Sequence, residues 1–135
     1  AGRRASPIME PIAAELDKKV MLKLAKFFSE QTWPGSTTRA DAAAIERAKV
    51  MINSGQCVQC HLGGFEGASG VPRTATQHPV YLKKTMLDFK NRVRLNSAAK
   101  ASLLSEFSEA DIEAMANYLA NLTVQPKVSH GSEIQ

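Results

Sequence analysis

The chain has 135 residues, 44% of them hydrophobic and 6% aromatic, and a formal net charge of +4. That length suits one compact domain with some additional chain, and the moderate charge gives no sign of nucleic-acid binding. No apolar run approaches the roughly 20 residues needed to span a bilayer. The opening Ala1-Gly-Arg-Arg has no hydrophobic signal core after it, so the chain reads as soluble and already processed.

Ala, Leu, Lys and Glu recur at helical spacing and no run alternates as a strand does, so an all-α fold is expected. Residues 11–31 place Ile12, Leu16, Val20, Leu24 and Phe27 on one stripe with lysines opposite, and Pro11 suits a first turn, which predicts one amphipathic helix. Residues 32–41 carry Pro, Gly and hydroxyl side chains and should break it, with Trp33 anchoring the linker. A second helix is expected from a cap at Asp41 to a stop at Gly55. Residues 62–77 are rich in Gly and turn formers and predict an irregular loop. A third helix follows from about Pro79 to Arg92, with His78 at its entry. Ser108-Glu-Ala-Asp111 has the form of a capping box without its usual Glu, and Ile112, Met115, Ala116 and Leu119 continue as an apolar face. The expected organisation is a helical extension over 1–32, a linker over 33–40, a main domain over 41–123 and a polar tail over 124–135.

The chemistry sits in Cys57-Val58-Gln59-Cys60-His61. Two thiols at this spacing can each add to a haem vinyl group while the adjacent imidazole reaches the iron, the pattern of c-type haem attachment. A zinc site would need further ligands, and the only other histidines are His78 and His130, with no third cysteine. A redox dithiol would be expected beside a βαβ pattern, which is absent. One covalent haem c with His61 on the iron is therefore expected. Attachment of this kind is made outside the cytoplasm, so a periplasmic location follows.

With Gly55, the CVQCH motif, Pro72-Arg73, Gln77, Tyr81-Leu82, Phe89, Arg92 and the ending Ser108 through Leu119, the chain resembles the class I c-type cytochromes, and among them one domain of the bacterial tandem diheme kind. The resemblance covers about residues 41–123. It implies the class I cytochrome c fold, here with an additional N-terminal amphipathic helix. It also implies that the Pro72 carbonyl accepts from His61 Nδ1, and that Arg73 and Gln77 lie near the haem propionates.

The sequence departs from that family at the sixth iron ligand. A methionine normally precedes the last helix, yet residues 93–107 hold neither Met nor His. An internal repeat bears on this: a shift of 91 positions pairs Leu16 with Phe107, Met21 with Ile112, Ala25 with Ala116 and Phe27 with Tyr118, and sets Met9 on Lys100. The first 32 residues thus look like the closing loop and final helix of another cytochrome domain, although any two amphipathic helices share a period. Three readings of the distal position stand: Met9, a soft thioether; Lys100, at the family's methionine position; or an open, water-bound site. Met21, Met51, Met86 and Met115 fall on apolar helix faces and read as packing residues.

Lys83, Lys84, Lys90, Arg92, Arg94 and Lys100 cluster in sequence and could steer an acidic redox partner. The expected function is one-electron transfer between periplasmic redox proteins, with no catalytic residue. The alternative is a haem-bearing subunit of a redox enzyme complex, or a ligand-binding haem protein with an open distal site. Residues 1–32 are the expected surface for a dimer or complex.

Overall fold

Four helices begin at a short polar side chain that accepts from a backbone N–H one turn further on, and the fifth long helix begins at Pro79 instead. Asp17 Oδ1 accepts from Val20 N at 2.8 Å, Asp41 Oδ1 from Ala44 N at 2.8 Å, Ser97 Oγ from Lys100 N at 3.3 Å and Ser108 Oγ from Asp111 N at 3.2 Å. Such caps satisfy donors that the helix itself leaves open. In a computed structural model, described over residues 6–32, 34, 39–68 and 70–123, they open four of the helices. The elements are α1 (Met9–Ala14), α2 (Lys18–Ser29), α3 (Ala42–Ser54), α4 (Val58–His61), α5 (Pro79–Lys90), α6 (Ala98–Ser105) and α7 (Glu109–Asn121). No strand forms among the described residues, and the all-α expectation holds. Trp33, most of the linker, His130 and the tail from 124 lie outside the described residues.

Helix α7 is the centre of the packing, against α3 and α5, and α5 also packs on α6. Its positions 112, 115, 116 and 119 recur at helical spacing and close the core with Ala48 and Ile52 of α3, Leu82 and Phe89 of α5, and Leu104 and Phe107. Ile112 is fully buried and Met115 is 2% exposed. The capping box at Ser108 is complete with Asp in the usual Glu position: Asp111 Oδ2 accepts from Ser108 N at 2.9 Å. Asp111 also receives Arg47 Nε at 2.7 Å, tying α3 to the start of α7. Lys83 reaches Glu113 at 2.8 Å and Glu109 at 3.5 Å, tying α5 to the same helix.

Three elements differ from the sequence expectation. The amphipathic stretch 11–31 is two helices, because the Asp17 cap starts a new one after Ala14. The stretch 93–107 contains α6, where the Ser97 cap leads into Ala98-Ala-Lys-Ala, a run of strong helix formers. Gly55 ends α3 in right-handed conformation, and the left-handed residue is its neighbour Gln56, with φ of 50°.

The repeat is visible in the helices. A shift of 91 carries the end of α1 onto the end of α6, the Asp17 cap onto the Ser108 cap, and the start of α2 onto the start of α7. Chance overlap of two amphipathic stripes would not reproduce a shared break and a shared cap. The surroundings differ: Ile112, Met115 and Leu119 are buried, whereas their counterparts Met21, Leu24 and Phe28 are 44%, 39% and 67% exposed.

Candidate functional site

The site is built where α3 ends. Gly55 stands where there is little space for a side chain: a Cβ there would lie 3.1 Å from Phe107 Cζ and 3.3 Å from Cys57 Sγ. Gln56 then reverses the chain through its left-handed conformation, and Cys57 N donates to Ile52 O at 3.2 Å, fastening the motif to α3. Helix α4 is a single turn. Cys57 and Cys60, three residues apart on that turn, share a face, and His61 follows directly. Both thiols are free, with Cys57 half-buried and Cys60 exposed.

The loop over 62–77 folds back beneath this turn. Gly67 N donates to His61 O at 3.1 Å, and Phe65 O, on a 4% exposed residue, accepts from both Thr74 N and Ala75 N. Pro72 O is thereby brought 2.9 Å from His61 Nδ1. A carbonyl can only accept, so Nδ1 carries the proton and Nε2 is left with its lone pair directed outward as a metal donor. Burial pushes the His61 pKa down, the Pro72 bond opposes this, and the nearby charge of Lys100 lowers it further. Burial likewise pushes the Cys57 thiol up.

Lys100, in the first turn of α6, lies close enough to His61 for its charge to act on the imidazole. Its pKa is lowered by burial and by Arg94, with Cys60 acting in the opposite sense. Lys100 Nζ and Arg94 Cζ stand 5.1 and 4.7 Å from the centroid of the Phe89 ring, a cation–π arrangement at the edge of the core.

The expected residues do not all converge. Cys57, Cys60, His61 and Pro72 come together, and half-buried Arg73 follows Pro72 directly. Gln77 uses its side-chain oxygen to accept from His78 N at 2.8 Å, closing the entry to α5. Met9 is 53% exposed on α1, a helix without extensive contact to α3, α5, α6 or α7. The basic cluster is largely engaged within the fold: Lys83 and Lys84 pair with carboxylates, and Lys90 Nζ donates to the carbonyls of Ser105 and Phe107. Arg92, Arg94 and Lys100 make no ion pair among the described residues.

Two features that sequence reasoning missed bear on the cofactor. Thr74 and Thr76 have buried hydroxyls without a hydrogen-bond partner in the protein. Leaving such a group unmet costs about 1–3 kcal/mol. Haem propionates would supply acceptors, and the paired thiols with a histidine of fixed tautomer supply the tether and the donor, so the residues present fit haem c. Zinc fits poorly: among the described residues no group of three or more His, Cys, Asp or Glu side chains is placed to hold a metal ion.

No protein-family profile matches the chain. It is 27% identical to cytochrome c-552 of Acidithiobacillus ferridurans, over 84% of this chain and 52% of that protein. It is 27% identical to cytochrome c4 of Thiocapsa roseopersicina, over 90% of this chain and 68% of that one. The chain thus spans about half to two thirds of these curated relatives. The crystal structure of reduced cytochrome c4 from Pseudomonas stutzeri superposes with a TM-score of 0.77 at 26% identity, covering 89% of this chain and 68% of that one. A match of that extent is longer than the domain from 41 onward and takes in part of the N-terminal helices. Fold, motif and relatives agree that the chain is a class I c-type cytochrome, similar to one domain of the diheme cytochromes c4.

Proposed function

We propose that this chain carries single electrons between periplasmic redox proteins on one haem c, tethered by Cys57 and Cys60 and ligated by His61. The observation that carries this reading is the 2.9 Å bond from His61 Nδ1 to Pro72 O on the turn that bears both thiols. It fixes the imidazole before any iron arrives, so ligation needs no reorientation of the ring. Haem supplies the reversible one-electron couple. Arg73 would lie near its propionates, and Thr74 and Thr76 would offer them their unpartnered hydroxyls.

The matching caps and helix break support a reading of α1–α2 as the closing pair of a second cytochrome-type module, separate from the domain over 41–123. In this arrangement the exposed Met21, Leu24 and Phe28 are the face that such a module would cover.

Expression with export and haem-maturation machinery tests the main reading. The expected product has one haem per chain, retained on a denaturing gel, and takes up and releases one electron in a redox titration. Retention in the double variant Cys57→Ala/Cys60→Ala, or a stoichiometry of zero, would overturn it.

A further inference from the structure

The stretch that should hold the sixth iron ligand contains no Met and no His, yet the structure places a nitrogen donor there. Lys100 lies in the first turn of α6, held by Ser97 Oγ at 3.3 Å from its backbone N. The repeat puts it in register with Met9, a residue type that binds haem iron in electron carriers. Its side chain is half-buried and lies over the face of Phe89, 5.1 Å from the ring centroid. Its charge acts on His61, and Cys60 in turn acts on it, so it lies close to the turn that bears the haem-attachment motif. No carboxylate among the described residues pairs with its Nζ. Every other lysine from 83 to 90 does find an acceptor, whether carboxylate or carbonyl.

The competing donors are placed elsewhere. Met115 is 2% exposed in the core, Met51 and Met86 pack against that core, and Met9 is on exposed α1. His78 is exposed at the start of α5.

Resting on the haem reading above, we infer that Lys100 Nζ is the distal ligand of the iron held by His61. On binding, the ammonium releases one proton to solvent and the amine lone pair forms the bond to iron, with no change of oxidation state. A hard amine in place of a thioether favours ferric iron, so the couple lies below that of a His/Met carrier.

The test uses the full haem-loaded chain. The ferric protein should lack the methionine–iron charge-transfer band and show a low-spin His/amine signature by electron paramagnetic resonance. Lys100→Ala should turn high-spin and bind carbon monoxide rapidly once reduced. Lys100→Met should gain the charge-transfer band and a higher potential. Covalent haem on a denaturing gel and an unchanged helical circular dichroism spectrum show in each variant that tether and fold persist. A methionine band in the native protein, rapid native carbon monoxide binding, or a Lys100→Ala spectrum equal to the native one would each overturn the assignment. A native chain without covalent haem would overturn the haem reading itself, and the gel separates that outcome from the others.

Discussion

Gly67 lies against the backbone of Pro72, in the space a side chain would take: with φ of 70°, a Cβ there would come within 2.6 Å of the Pro72 carbonyl carbon and 2.7 Å of Arg73 N. The carbonyl that fixes His61 is therefore positioned by the absence of a side chain five residues earlier. Gly67→Ala must shift the loop or strain the backbone, and is expected to destabilise the protein by about 1–3 kcal/mol. Thermal denaturation measures this. A loss under about 0.3 kcal/mol would show that the loop relaxes freely.

The two repeats predict opposite responses to the same kind of truncation. Leu119→Ala opens a cavity beneath α7 and should cost about 2–5 kcal/mol. Its counterpart Phe28, 67% exposed, should tolerate Ala within about 0.5 kcal/mol. Urea titration of the two variants distinguishes them, and equal losses would mean that α2 is buried in solution.

Acid should weaken the start of α7. Asp111 is held at a pKa of about 2 by Ser108 first and by Arg47 next. A carboxyl depressed in the folded state contributes stability that is present above its unfolded value near 4 and lost as pH falls through about 2. Asp111→Asn should remove that part of the acid dependence while lowering stability at neutral pH by about 1 kcal/mol. Melting temperatures at pH 7 and pH 3 measure both, and an unchanged difference between them would refute the assignment.

Lys90 reaches across from α5 to accept the role of a cap, its Nζ 2.7 Å from Phe107 O and 3.0 Å from Ser105 O. Lys90→Met keeps most of the stem and removes the donors, and should cost about 1–3 kcal/mol. Hydrogen exchange at the end of α6 should rise in parallel; protection unchanged there would show that solvent substitutes for the ammonium.

Much of this architecture was legible in the chain. The spacing of Ile112, Met115, Ala116 and Leu119 marked α7, and Asp41 and Pro79 marked the starts of α3 and α5. The break at Asp17 was hidden because the apolar stripe runs through it, and a cap interrupts backbone geometry without interrupting the pattern. Helix α6 was hidden by the expectation of a ligand loop, although Ser97 and the alanines after it carry an ordinary helix start. Within the site, Cys57, Cys60 and His61 were plain from spacing, and the Pro72 contact followed the family resemblance. Gly67, Thr74 and Thr76 could not be singled out, because a close backbone approach and an unmet hydroxyl exist only once the loop has closed.

Cys57 is half-buried and Cys60 exposed, although they are neighbours on one turn. A haem tethered at both would be reached through less protein from the Cys60 side than from the Cys57 side, where Phe107 crowds the space beside Gly55. The unequal depth of two sulfur atoms would thus give the domain a front door, and a redox partner docking at that edge would exchange charge faster.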